Sequence, residues 1–132
     1  SRTDDIINCA GHRLSTGSIE EILTQHKDIA ECAVVGVNNE LKGQVPVGLI
    51  VLNNSSINAE ETIIKETINL VREKLGPVAS YKKSIIVENL PKTRSGKILR
   101  STISKILNNE NYKVPATIED INTLELIKNL KV

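Results

Sequence analysis

Cys32-Ala33-Val34-Val35-Gly36-Val37-Asn38-Asn39-Glu40-Leu41-Lys42-Gly43-Gln44-Val45-Pro46-Val47-Gly48-Leu49-Ile50-Val51-Leu52 is the stretch that decides the fold. Its two apolar runs, 32–37 and 45–52, are continuous and of strand length, so each predicts a buried sheet strand. The polar Asn38–Gly43 segment between them reads as a turn. Upstream, Ser18-Ile19-Glu20-Glu21 has the spacing of a capping box, and Ile19, Ile22, Leu23 and His26 recur on one helical face. Further upstream, Ile6-Ile7 and Leu14 flank Ala10-Gly11-His12. That pattern predicts a two-stranded hairpin over residues 4–15 with Gly11, His12 and Arg13 at its tip.

Downstream, Asn53–Ser56 is a loop, and Asn58 followed by Glu61 predicts the start of a second helix carrying Ile64, Ile68, Val71 and Leu75 inward. Gly76-Pro77 ends it. Ser84-Ile85-Ile86-Val87 predicts a third strand. A basic loop from Pro91 to Gly96 then leads to a helix with Leu99, Ile103, Ile106 and Leu107 facing inward. The tail holds one short helical pattern, Leu124–Leu130, and no internal repeat is present. The expected class is α+β: a small three-stranded central sheet with flanking helices plus an N-terminal β-hairpin, in a single domain over residues 1–132.

Composition narrows the function. The chain has 132 residues with 17 Lys+Arg against 16 Asp+Glu, a net charge of +1, so no global field directs it to nucleic acid. With 39% hydrophobic and 25% charged residues it is globular in composition, and its longest apolar run is far short of a membrane span. The opening Ser1-Arg2-Thr3-Asp4-Asp5 does not look like an export signal. Cys9 and Cys32 lie in apolar surroundings and are expected to be core residues in a reducing, intracellular setting, cytoplasmic or mitochondrial. His12 and His26 stand apart, with no zinc spacing. Tyr81 and Tyr112 are the only aromatic residues, too few for the stacking platforms of single-strand binders.

One local asymmetry stands out. From Asn89 to Asn109 there is no acid, while Lys92, Arg94, Lys97, Arg100 and Lys105 give a local +5. Lys97 follows Ser95-Gly96 where a helix is expected to begin, and a cation at a helix N-terminus is unfavourable unless an anion joins it. Phosphate or carboxylate would fit, and so would a plain solvated basic face. A Walker A loop is excluded, because Pro91 stands where the first glycine is required and Ile98 follows Lys97.

These residues also carry a family resemblance. Leu90-Pro91-Lys92-Thr93-Arg94-Ser95-Gly96-Lys97-Ile98, with Arg2-Thr3-Asp4-Asp5-Ile6-Ile7-Asn8 and Ala10-Gly11-His12-Arg13-Leu14, resembles the C-terminal domain of AMP-forming acyl-CoA synthetases. His12, Leu41–Val47, Val71-Arg72-Glu73 leading to Gly76-Pro77, and Thr117-Ile118-Glu119-Asp120 are similar to the acetyl- and propionyl-CoA synthetase branch. One departure is Ser1, where the family has glycine before the arginine. The resemblance implies that the chain is the mobile C-terminal lid of a larger synthetase. The N-terminal part, which binds nucleotide and acyl group, would then be its partner and is not included.

The resemblance further implies ATP, CoA and a short-chain carboxylate as substrates with Mg2+, and no nucleic-acid or membrane partner. Lys97 matches the lysine that serves adenylation, where an ammonium group can orient the carboxylate and stabilise charge on the phosphoryl oxygens. Arg2 and Arg13 match residues near the nucleotide phosphates. In the second pose of the lid, Ala10 and Gly11 would line the channel of the pantetheine thiol, and Arg72 would contact CoA. Asp4 matches the hinge. His26, with the carbonyls of Thr24 and Ile29, aligns with a position where magnesium is bound in some acetyl-CoA synthetases. A stand-alone module that uses the Lys92–Lys105 surface for RNA or an acidic partner, or a regulatory interaction module on that surface, is the alternative.

Overall fold

The computed structural model describes residues 6–54 and 57–130. Arg2 and Asp4 lie outside the described residues. The elements run β1 (Ile6–Cys9), β2 (His12–Ser15), α1 (Thr16–Leu23), β3 (Ile29–Asn39), β4 (Gly43–Leu52), α2 (Glu60–Leu75), a 3-10 turn (Pro77–Ala79), β5 (Lys83–Ile86), α3 (Arg100–Leu107) and α4 (Asn122–Lys128). The two apolar runs become β3 and β4, paired antiparallel from Ile29 opposite Leu52 to Asn39 opposite Gly43. β5 adds to β4 in parallel, and the β1–β2 hairpin joins the same sheet through Cys9 opposite Gly43. The three central strands and the separate hairpin therefore form one five-stranded sheet.

The lack of alternation in β3 and β4 has a direct structural cause. Cys32, Val34 and Ile50 point to one core with Ile7, Cys9, Ile19, Ile22, Leu23, Val71 and Tyr81. Ala33, Val35 and Leu49 point to a second core with Val87, Leu90, Ile103 and Ile127. The hairpin, α1 and α2 cover one face, and α3 and α4 cover the other, so successive strand residues are apolar because both faces are buried. The free edge of β3 is occupied by side chains. Glu20 of α1 accepts the Val34 N–H at 2.9 Å, while Asn108 accepts the Asn38 N–H at 2.7 Å and donates to the Gly36 carbonyl at 3.0 Å. An edge dressed in this way offers little to another strand.

Some boundaries differ from the sequence expectation. The cap of α1 is Ser15, whose Oγ accepts the Ser18 N–H at 3.3 Å. The hairpin runs straight into the helix, so the Ser18 capping box falls inside it. His26 lies beyond α1, in a turn whose N–H reaches the Leu23 carbonyl at 3.1 Å. Helix α2 begins at Glu60 without a side-chain cap, because Asn58 instead donates to the buried Asp28 carboxylate at 2.6 Å. Its buried stripe is Ile63, Thr67 and Val71, with Ile68 and Leu75 at the margin and Ile64 half-buried.

Both cysteines are free and buried. Burial, helped by the Glu20 carboxylate, pushes the Cys32 thiol from an ordinary 9.0 up to about 12. Burial also raises Tyr81 above its usual range. A group whose folded pKa is raised contributes stability that is complete below its unfolded pKa and is lost as pH climbs toward the folded value. Denaturant midpoints are therefore expected to fall once pH passes about 9, with Cys32→Ala flattening part of that slope. The native thiols should resist alkylating reagents until the chain unfolds.

Candidate functional site

Two hairpins carry Ala10, Gly11 and Arg13 on the one hand and Lys97 on the other, and they are rooted in different cores. The first is β1–β2. Its two-residue turn, Ala10-Gly11, has positive φ at both positions (51° and 84°), the conformation that lets a hairpin follow the sheet twist. Ile7 and Cys9 anchor it in the α1/α2 core, with Leu14 packed alongside, while Ala10, Gly11, His12 and Arg13 are exposed. Arg72 is exposed in the last turn of α2, immediately after the buried Val71. The 3-10 turn that follows α2 lies against β2, so Arg72 and the hairpin belong to the same layer.

The second hairpin is the basic loop. Lys92 pairs with Ile98, the Thr93 N–H donates to the Lys97 carbonyl at 2.8 Å, and the Gly96 N–H returns to the Thr93 carbonyl at 2.9 Å. The tail braces it: Arg94 N–H reaches the Thr117 carbonyl at 2.9 Å, and Glu119 N–H reaches Lys92 at 2.8 Å. Leu90 and Ile98 fasten it to the α3/α4 core. Lys97 is thus on the returning arm of a hairpin, three residues ahead of α3, and not at a helix N-terminus. The pairing of Lys92 with Ile98 holds this stretch extended until Leu99, so the helix-dipole argument for an anion does not apply.

The +5 cluster is also smaller than its sequence count. Lys92 Nζ sits 2.6 Å from Glu31, and Arg100 grips Glu20 through both arms of its guanidinium, Nε at 2.8 Å. Those acids come from β3 and α1, distant in sequence and invisible to a local charge count. Arg94, Lys97 and Lys105 are exposed with no acidic partner among the described residues. A cluster reduced from five to three weakens the RNA-surface alternative, whose affinity depends on the number of phosphates neutralised. Arg13 shares its hairpin with Gly11, and Lys97 has its own; the isolated fold does not bring the two together.

The corner at Thr24, His26 and Ile29 does not suit a cation at the imidazole. His26 Nδ1 accepts the Asp28 N–H at 3.1 Å, which leaves Nε2 protonated and donating to Glu66 at 2.8 Å. The His26 carbonyl accepts from the Ile29 N–H at 3.2 Å. Both ring nitrogens are engaged, Nδ1 within the turn after α1 and Nε2 across to Glu66 of α2, so the imidazole offers no lone pair to a metal.

Sequence reading missed one cluster, at the β3–β4 turn. Asn39 Oδ1 accepts the N–H of Leu41 at 3.0 Å and of Lys42 at 2.9 Å. The Lys42 carbonyl accepts the Ala10 N–H at 2.7 Å, and its ammonium donates to Ser80 at 3.0 Å. A cavity of about 460 Å³ opens beside it, lined in part by Val37, Asn39, Lys42, Pro46 and Ser80. An Asn two residues before an N–H-rich turn was the available signal.

The family model of the AMP-binding enzyme C-terminal domain matches residues 18–97. The chain is 58% identical over 127 residues to acyl-CoA synthetase short-chain family member B, mitochondrial, of Dictyostelium discoideum, covering 96% of this chain and 18% of that protein. It is 51% identical to acyl-CoA synthetase short-chain family member 3, mitochondrial, of mouse, over 91% of this chain and 18% of that one. The crystal structure of Brucella canis acyl-CoA synthetase superposes with a TM-score of 0.71 at 30% identity, over 80% of this chain and 19% of its own. The chain therefore spans about a fifth of the length of the relatives it matches.

Proposed function

Because this chain belongs to the AMP-binding enzyme C-terminal domain family, we propose that residues 1–132 are the mobile lid of a short-chain acyl-CoA synthetase whose nucleotide- and acyl-binding part is its partner. The reaction has two steps. A carboxylate oxygen attacks the α-phosphorus of ATP and expels pyrophosphate, giving an acyl-adenylate. The thiol of CoA, losing its proton, then attacks the acyl carbon and expels AMP.

The observation that carries this reading is the pair of outward hairpins anchored in the two cores on opposite faces of one sheet. A domain built in this way can present one hairpin to a fixed site, turn, and present the other. In the adenylation pose Lys97, exposed and free of acidic partners, places a compact charge against the carboxylate and the phosphoryl oxygens. In the thioesterification pose the Ala10-Gly11 turn faces the pantetheine channel, with Gly11 offering no side chain, and Arg72 in the same layer meets the CoA phosphates. Arg2 and Arg13 approach the nucleotide, and Asp4 serves as the hinge. ATP enters as its Mg2+ complex, and the ion arrives with the substrate. A mitochondrial setting is supported by the names of the Dictyostelium and mouse relatives. Among the described residues no helix is long and apolar enough to cross a membrane.

The test compares this chain with the full-length protein. The chain alone should give no ATP–pyrophosphate exchange, whereas the full-length protein should exchange with acetate or propionate present. Exchange by the chain alone would overturn the lid assignment, and so would full-length protein that never exchanges with any short-chain carboxylate.

A further inference from the structure

Among the described residues, three non-glycine positions have left-handed backbone, and two of them, Ala10 (φ 51°) and Ser80 (φ 52°), are tied to one residue, Lys42. A two-residue turn with both φ values positive favours Asn-Gly, because Asn tolerates the left-handed region. Alanine has no such preference. Something outside the hairpin must hold Ala10 in place, and the bond from its N–H to the Lys42 carbonyl at 2.7 Å does so. Lys42 is itself fixed at both ends. Its N–H is held by Asn39 Oδ1 at 2.9 Å, and its ammonium by Ser80 at 3.0 Å. Gly43, the next residue, pairs with Cys9, which leads directly into the Ala10-Gly11 turn.

We infer that Asn39 and Lys42 are positioning residues for thioester formation: they hold the Ala10-Gly11 tip in the geometry that admits the thiol, and they have no part in adenylation. The inference rests on the hairpin role given under Proposed function. Strained backbone that the surrounding contacts over-determine is a recurring device for presenting a functional turn. A displacement of the tip by about 1 Å is enough to cost up to a hundredfold in rate. The hairpin that Asn39 and Lys42 hold is anchored through Ile7 and Cys9 in one core, and the hairpin of Lys97 through Leu90 and Ile98 in the other.

The experiment uses the full-length protein and two rates: acetate-dependent pyrophosphate exchange, and CoA consumption from preformed acetyl-adenylate. Asn39→Ala should lower the second rate by about tenfold or more through kcat, with the first unchanged. Asn39→Asp, whose carboxylate accepts the same two N–H bonds, should restore it. Lys42→Met should behave as Asn39→Ala does, to a smaller extent. In this chain, amide exchange at Ala10 should accelerate in Asn39→Ala and recover in Asn39→Asp. Gly11→Leu is the reference: if it leaves CoA consumption intact, the hairpin role is wrong and the inference falls with it. If Gly11→Leu blocks CoA consumption while Asn39→Ala does not slow it, the hairpin role stands and the positioning role is refuted. An equal loss of both rates in Asn39→Ala also refutes it, as would failure of Asn39→Asp to rescue.

Discussion

Replacing Lys97 by alanine in the full-length protein is expected, on the proposed lid role, to lower pyrophosphate exchange by roughly a hundred- to a thousandfold, the size typical of deleting one preorganised electrostatic group. CoA consumption from preformed acyl-adenylate should stay near the wild-type rate. The separation follows from where Lys97 sits. Its side chain is exposed, and the bonds that shape its hairpin, from Thr93 N–H to the Lys97 carbonyl and from Leu99 N–H to the Pro91 carbonyl, are main-chain bonds that alanine keeps. The neighbouring Ile98 still packs into the α3/α4 core. Thermal stability should therefore not change, and the loss must come from the missing charge. Lys97→Arg should recover only part of the exchange, because a planar fork cannot replace a compact ammonium at a single point. Loss of both half-reactions together, or a lowered melting temperature, would show that Lys97 supports the fold instead.

The central strands were legible because burial on both faces leaves an unmistakable mark, an apolar run without alternation, and β3 and β4 carry it. The hairpin at Ala10-Gly11 was legible from its flanking apolar residues. What the sequence concealed was interaction at long range. Glu20 and Arg100 are eighty positions apart, Lys92 and Glu31 sixty-one, and no local window pairs them. So the basic loop looked more highly charged than it is. Helix starts were misjudged for a related reason: Asn58 has the chemistry of a cap, yet a buried carboxylate thirty residues away claims it. The site divides in the same way. Lys97 and Gly11 could be picked out by local motif, whereas the Asn39–Lys42 support depends on two turns brought together only when Cys9 pairs with Gly43.

Gly48→Ala is expected to be the most damaging small substitution in the fold, and Gly17→Ala a stabilising one. Neither glycine has the positive φ that only glycine favours, so what differs is space. A Cβ on Gly17, exposed in α1, would meet Ser15 Oγ at an ordinary 3.6 Å. Alanine there should add about 0.5–1 kcal/mol through helix propensity and a less flexible unfolded chain. A Cβ on Gly48, in the middle of β4, would lie 2.0 Å from the hydroxyl of Tyr81 and 3.0 Å from its Cζ. Tyr81 is fully buried and cannot swing aside. Its hydroxyl bonds Ser84 at 2.6 Å, and Ser84 bonds Thr67 at 2.9 Å, so displacing the ring also strands buried hydroxyls. Overpacking of this kind costs about 3 kcal/mol, a drop in melting temperature of about 10 °C for a chain of this size. The cause can be isolated with Tyr81→Phe. Alone, it removes a hydrogen bond and should destabilise by about 1 kcal/mol. Combined with Gly48→Ala it also removes the atom at 2.0 Å, so the double variant should be more stable than Gly48→Ala. Strictly additive losses would mean that the close approach of Tyr81 to β4 is not what requires glycine at position 48.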